Sequence, residues 1–195
     1  LAAAISTGLG LLLGLPMAYI LARKHFRGKA VVAGIIDLPL IVPHTAAGIA
    51  LLMAFGRQAA LGSLFGRLGL FFTDSLAGIV LAMSFVSMPL LVSSAREAFA
   101  AVDPELELVA RVDGATPMGV FWRVTLPIAW KGVLSAAVLM WARGISEFGA
   151  ISILAYNPKT VSVLLFERFQ GFGVSAALPV TVFLLLVVAL IFILL

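Results

Sequence analysis

The chain opens on 22 residues without a charged side chain, Leu1 to Ala22, and long apolar runs recur along the rest of it. About 20 consecutive apolar residues are enough to carry an α-helix across the hydrocarbon core of a bilayer. Backbone groups in lipid find no water, so a segment there must satisfy its own hydrogen bonds, and an apolar run of this length is restricted to a helix. Composition agrees. Of 195 residues, 63% are hydrophobic and 11% charged, more apolar surface than a core of this size can bury.

Polar segments divide the runs into five expected spans, at 1–22, about 31–55, 75–95, about 132–155 and 174–195. Segment 56–74 reads as a glycine-rich loop with a short interfacial helix, and 156–173 as a second loop whose short helix carries Glu167 and Arg168. Met88-Pro89 is expected to break the third span near its end. The net charge of +4 forms no single patch, which argues against a nucleic-acid partner. Arg23, Lys24, Arg27, Lys29, Arg96, Arg111, Arg123 and Lys131 fall on one side, and only Arg57, Arg67, Lys159 and Arg168 on the other. Basic residues concentrate on the cytoplasmic side of membrane proteins, so the richer side is the inside. Gly8, Gly10 and Gly14 allow close helix approach in the first span, or are tolerated on a lipid-facing one. The sequence has no initiator Met and begins and ends inside apolar runs, which reads as a segment excised from a longer chain.

The longest polar stretch, Ala95 to Lys131, holds five of the nine acidic residues. Its punctuation is that of two short helices. Asp103 can cap the first, Pro104 suits its first position, and Glu105 and Glu107 favour the positive end of its dipole. Gly114 can close it in the left-handed conformation, Thr116-Pro117 restarts the chain as a helix, and Leu126-Pro127 is expected to end that second helix. Phe121, Trp122 and Val124 form an apolar face with no neighbour in the segment to cover it, and such a face needs a partner. An amphipathic connector lying on the membrane surface is the blander reading.

Asp113-Gly114-Ala115, then Phe121, Val124 and Leu126-Pro127 at their spacings, resemble the cytoplasmic "EAA" loop of binding-protein-dependent ABC importer permeases. The family's Glu-Ala-Ala falls at Leu108, Val109 and Ala110, where only Ala110 fits, and a glutamate stands one place earlier at Glu107. The resemblance implies an all-α, polytopic type I importer domain over 1–195, with the loop at 96–131 and five of six spans present, the first span and a C-terminal tail lying outside. It further implies that the loop forms coupling helices seated on a separate ATPase subunit. Two copies would form the pore in the cytoplasmic membrane of a bacterium or archaeon, with two ATPase subunits inside and a solute-binding protein outside. The chain itself would bind no cofactor, ATP and magnesium being used by the ATPase.

Charged and kink-forming residues inside the spans mark the other candidate site. Asp37, Pro39, Pro43, His44 and Thr45 lie in the second span, where each proline leaves a carbonyl without its helical partner. The kink lines the transport pathway or packs against neighbours, and His44 is a pathway group or a core histidine bonded to a carbonyl. Arg143 and Glu147 lie four apart in the fourth span, so on a helix they share a face and can pair. An unpaired charge at mid-membrane costs roughly 2.5–3.5 kcal/mol or more. The pair either fixes the helix in the bundle or lies near the pathway, with Ser146 beside it.

Arg143-Gly-Ile-Ser-Glu-Phe-Gly-Ala150 resembles the corresponding span of oxyanion importers, the molybdate/tungstate and sulfate permeases. Leu38 to Leu52, LPLIVPHTAAGIALL, is most similar to archaeal-type molybdate/tungstate permeases. The resemblance implies alternating access for such oxyanions, with a sulfate/thiosulfate permease as the alternative. An intramembrane enzyme is the alternative from another class. Its only candidate pairing is Glu147 with Ser146 or His44, and Ser146 and Glu147 would point about 100° apart on a helix. No G-x-x-x-x-G-K-[ST] phosphate loop occurs, so this sequence does not hydrolyse the nucleotide. With two histidines and no cysteine, it offers little for a metal site.

Overall fold

The computed structural model describes residues 1–194, which form helices and, among the described residues, no strand. Ala2–Arg23, Leu76–Ala100, Pro117–Ile145 and Val174–Ile193 are each long and apolar enough to span a membrane. Lys29–Ile41 and His44–Phe55 pass the same test only when taken together, as a broken span or a re-entrant loop. The helices are α1 (Ala2–Arg23), α2 (Lys29–Ile41), α3 (His44–Phe55), α4 (Ala60–Gly66), α5 (Leu76–Ala100) and α6 (Pro104–Val112). Then follow α7 (Pro117–Val120), a π-turn (Phe121–Thr125), α8 (Leu126–Ile145), α9 (Gly149–Leu154), α10 (Val161–Phe172) and α11 (Val174–Leu194). The chain forms two compact units. One comprises Ala4–Ile41 and Ser87–Trp141, and the other Leu1–Ala3, Val42–Val86 and the chain from Ala142 onward.

In the first of these, Leu21 and Ala18 of α1, Leu91, Val92, Ala95 and Phe99 of α5, and Val133, Ala136 and Met140 of α8 build one apolar core. Small residues let the helices close on one another. A Cβ at Gly10 would run into Met140, one at Gly14 would lie 2.8 Å from Leu91, and one at Gly132 would meet Ala98. In the other unit, α3 lies against α9. A Cβ at Gly48 would stand 2.9 Å from the Cα of Ala150, and one at Gly149 would stand 2.8 Å from the Cβ of His44. Phe55, Phe65 and Phe72 pack edge to face below α3.

Four prolines behave differently from the sequence expectation. The second span is broken rather than kinked: α2 runs through the buried Pro39 to Ile41, Pro43 takes extended backbone (φ −54°, ψ 134°), and α3 starts afresh. Pro89 does not break α5, which runs unbroken for 25 residues from Leu76 to Ala100. At 1.5 Å per residue that is about 37 Å, longer than the hydrocarbon core of about 30 Å, so its last turns belong to the polar stretch assigned to the loop. Pro127 does not end the second loop helix either. The π-turn lets Leu126 N–H donate to the Phe121 carbonyl five residues back, and this wider turn relieves the clash of the Pro127 ring with the Arg123 carbonyl. From Pro117 the chain therefore runs without interruption through the π-turn into α8, and the separate loop expected over 96–131 shrinks to the short elements between α5 and α8. The fourth span, expected to reach Ala155, stops at Ile145 and resumes as α9 after the turn 146–148.

Candidate functional site

The short elements after α5 are fixed by their caps. Asp103 accepts the Glu105 N–H at 2.9 Å, with Pro104 in the first turn of α6. At the other end Gly114 stands at φ +89°, and its N–H reaches the Arg111 carbonyl while Ala115 N–H reaches that of Ala110. This pair of bonds satisfies the last carbonyls of α6 and needs a left-handed residue after Asp113, which glycine adopts without strain. Thr116 Oγ1 then accepts the Gly119 N–H at 3.2 Å and caps α7.

Glu107, on the inward face of α6, is 5% exposed. Its Oε1 lies 2.9 Å from Arg23 Nε and accepts the Thr125 hydroxyl at 2.7 Å. Phe121 is not the open docking residue that the sequence predicts. It packs against Tyr19 and Phe99, with ring centroids 4.9 and 6.0 Å away. The neighbour missing from the segment is supplied by α1 and α5, which the loop pattern alone does not reveal. Val124 and Leu126 are half-buried with it, and Pro127 is exposed. The apolar surface left open is Leu106, Leu108, Val109 and Val112 of α6, with Met118 and Trp122.

The second cluster gathers around the turn 146–148. Glu147 is wholly buried; its Oε1 accepts the Ala150 N–H at 2.9 Å and so caps α9. Its Oε2 lies 3.0 Å from Arg143 Nη2, an ion pair without hydrogen-bond geometry, and 4.0 Å from His44 Nδ1. Arg143 Nη2 also lies 2.7 Å from His44 Nε2. The same nitrogen lies 3.4 Å from His44 Nδ1, so the guanidinium, which only donates, stands over the edge of the ring that carries both nitrogens. The expected Arg143–Glu147 pairing is present, but Glu147 lies beyond the helix end and not on a shared helical face. Ser146 Oγ donates to the Arg143 carbonyl at 3.0 Å and is exposed, which leaves it no part with Glu147. Thr45 and Pro43 are exposed beside His44, whereas Asp37 and Pro39 lie on α2 in the other unit.

In the segment after α9, Tyr156 donates to Glu167 Oε1 and Lys159 Nζ pairs with Glu167 Oε2, both at 2.7 Å. Lys159 and then Tyr156 hold the Glu167 carboxyl below the usual range, and the same carboxylate pushes the Tyr156 phenol up. Sequence reasoning missed Arg23 as a bonding partner because it stood within a basic cluster, and Thr125 because nothing foretold a π-turn. Gly48 and Gly149 also went unmarked, although a glycine amid bulky apolar residues is a signal of close helix approach.

The helix arrangement matches solved transporters. A chain of the MetNI methionine ABC transporter, in inward-facing conformations, matches with TM-score 0.75 over 97% of this chain and 86% of its own, at 20% identity. A chain of a bacterial ABC transporter that imports the acidic polysaccharide alginate gives 0.73 over 97% and 73%, at 18% identity. The fold is thus that of a type I ABC importer transmembrane domain. Residues 10–195 match the binding-protein-dependent transport system inner membrane components, and the chain belongs to that family, a multi-pass transport subunit of the cell membrane and not an enzyme. It is 46% identical over 177 residues to the molybdate/tungstate transport system permease protein WtpB of Pyrococcus abyssi, covering 91% of this chain and 66% of that protein. Against WtpB of Methanocaldococcus jannaschii the identity is 40% over 188 residues, covering 96% and 74%. The molybdenum transport system permease protein ModB of Mycobacterium tuberculosis is 44% identical over 160 residues, covering 82% and 61%.

Proposed function

We propose that this chain is the pore-forming subunit of an ABC importer for molybdate- and tungstate-type oxyanions. The substrate class is supported by the names of the archaeal and mycobacterial relatives. It is also supported by Arg143, a cation in the last turn of α8, lying with His44 at the exposed start of α3. Pathway residues under this reading are Arg143, His44, Thr45 and Pro43. Glu147 is the buried counter-ion that keeps Arg143 in place.

The coupling part is carried by one observation: Leu108, Val109, Val112, Met118 and Trp122 are exposed on short capped elements at the base-rich side of the chain. Leu108, Val109 and Val112 lie on a helix of 9 residues, too short to span the bilayer, and an ATPase groove covers them together with Met118 and Trp122 at the start of the helix that continues into α8. ATP closes the ATPase dimer, the seated helices follow, and the pore opens toward an extracytoplasmic binding protein. A second copy of the chain completes the pore. Val112→Asp and Trp122→Asp test the docking, since a carboxylate forced into an apolar groove costs roughly several kcal/mol. Both variants of the full-length protein are expected to lose the ATPase subunit on co-purification. Undiminished binding in both would refute the docking role.

A further inference from the structure

The buried glutamate of α6 joins two other parts of its unit, the end of α1 and the π-turn, at a single carboxylate oxygen. Arg23, the last residue of α1, reaches Glu107 Oε1 with Nε and donates to the Val102 carbonyl with Nη2 at 2.8 Å. Thr125, inside the π-turn, donates to the same Oε1 at 2.7 Å. The side chains of Arg23 and Glu107 are 12% and 7% exposed, and Thr125 is fully buried, so little water is at hand to replace either partner if the contact opens. A buried charge deprived of its partner is strongly unfavourable. A second contact ties the same helix ends independently. Tyr19 of α1 meets Phe99 of α5 and Phe121 of the π-turn edge to face, at 5.6 and 4.9 Å.

We infer that Arg23, Glu107 and Thr125 form a clamp that makes α6, the end of α1 and the π-turn move as one body, so that displacement of α6 is delivered into α8. Glu107 is on this account a positioning residue that faces away from the docking surface formed by Leu108, Val109 and Val112. The π-turn is what brings Thr125 to the clamp while keeping α7 and α8 continuous, and π-turns of this kind recur at functional positions in helices. The inference rests on the docking reading above, because only a driven α6 has a displacement to deliver.

The test uses the full-length protein assembled with its ATPase subunits in lipid. Spin labels on Lys24→Cys and Glu105→Cys, both exposed, report the distance between the end of α1 and α6. In the native background that distance is expected to be the same with and without bound ATP. A change between the two states would overturn the clamp. Glu107→Gln and Thr125→Val are expected to widen the distance distribution and to lower oxyanion uptake per ATP hydrolysed by at least about fivefold, the low end of coupling effects between sites. ATPase co-purification stays at the native level in both, and Thr125→Ser restores the uptake ratio. Unchanged uptake per ATP in an assembled Glu107→Gln or Thr125→Val complex would also overturn the inference. If Glu107→Gln does not assemble, the native distance measurement and Thr125→Val decide it. Failure of the native chain to hold the ATPase would instead remove the docking reading, and the clamp's role with it.

Discussion

Replacing Arg143 with alanine removes the cation that stands 3.0 Å from a fully buried carboxylate oxygen of Glu147. What remains near that oxygen is His44 Nδ1 at 4.0 Å. Losing one partner of a buried pair costs about 3–5 kcal/mol. For a chain of 150–250 residues each kcal/mol moves the melting temperature by about 2–4 °C, so the expected drop is about 6–20 °C. Glu147→Gln is milder. Its amide oxygen still accepts from Ala150 N–H, and Arg143 keeps His44 Nε2 at 2.7 Å and some access to solvent. What is lost is the ion pair alone, and the cation left behind keeps a partner, so the cost falls below the roughly 3–5 kcal/mol of Arg143→Ala. The double variant Arg143→Met with Glu147→Gln removes both charges yet keeps the cap of α9, and is expected to recover most of the stability. Thermal unfolding of the solubilised complex, with the yield of assembled protein, reads all three. If Arg143→Ala melts no lower than Glu147→Gln, the reasoning from buried charge is wrong. If the double variant also imports oxyanion at the native rate, the pair is structural only.

Gly48→Ala sets a Cβ within 2.9–3.0 Å of Ala150 and Ile153, overpacking the α3–α9 crossing, and is expected to cost about 1–3 kcal/mol in the same unfolding assay. Gly114→Val at φ +89° adds about 1–2 kcal/mol of backbone strain and loosens the end of α6, read as reduced ATPase co-purification. Ultraviolet titration should find Tyr156 ionising above the usual tyrosine range, and Glu167→Gln should bring it down. Glu167 is held low in the folded state, so its contribution to stability is present above the usual carboxylate range and fades as pH falls through its lowered value. Single cysteines at Arg27 and Arg123 should be shielded from a membrane-impermeant thiol reagent in intact cells, and one at Arg67 labelled; the reverse pattern would invert the topology.

The spans were legible because lipid allows little beyond helices for long apolar runs, and α1, α5 and α11 follow the hydropathy closely. The caps of α6 were legible too, since Asp103, Pro104 and Gly114 act through their own backbone neighbours. Pro89, Pro127 and Pro43 were not. Whether a proline kinks, breaks or is absorbed depends on what the neighbouring helices can re-satisfy, and the π-turn that absorbs Pro127 has no local signature. The Arg143–Glu147 pair was foreseen for a helical reason, whereas the geometry comes from Glu147 capping α9. Phe121 was misjudged because its partners, Tyr19 and Phe99, come from distant segments. Glu107 was placed in the loop by its resemblance, but its burial depends on Arg23, 84 residues away.

The direct measurement of transport is ATP-dependent accumulation of radiolabelled tungstate by vesicles holding the full-length protein, its ATPase subunits and its binding protein, with molybdate or sulfate as competitor. Uptake that requires ATP, is abolished by Val112→Asp with Trp122→Asp, and is displaced by molybdate but not by sulfate is the result expected. Uptake that survives those two substitutions, or that follows sulfate in preference to tungstate and molybdate, would contradict it.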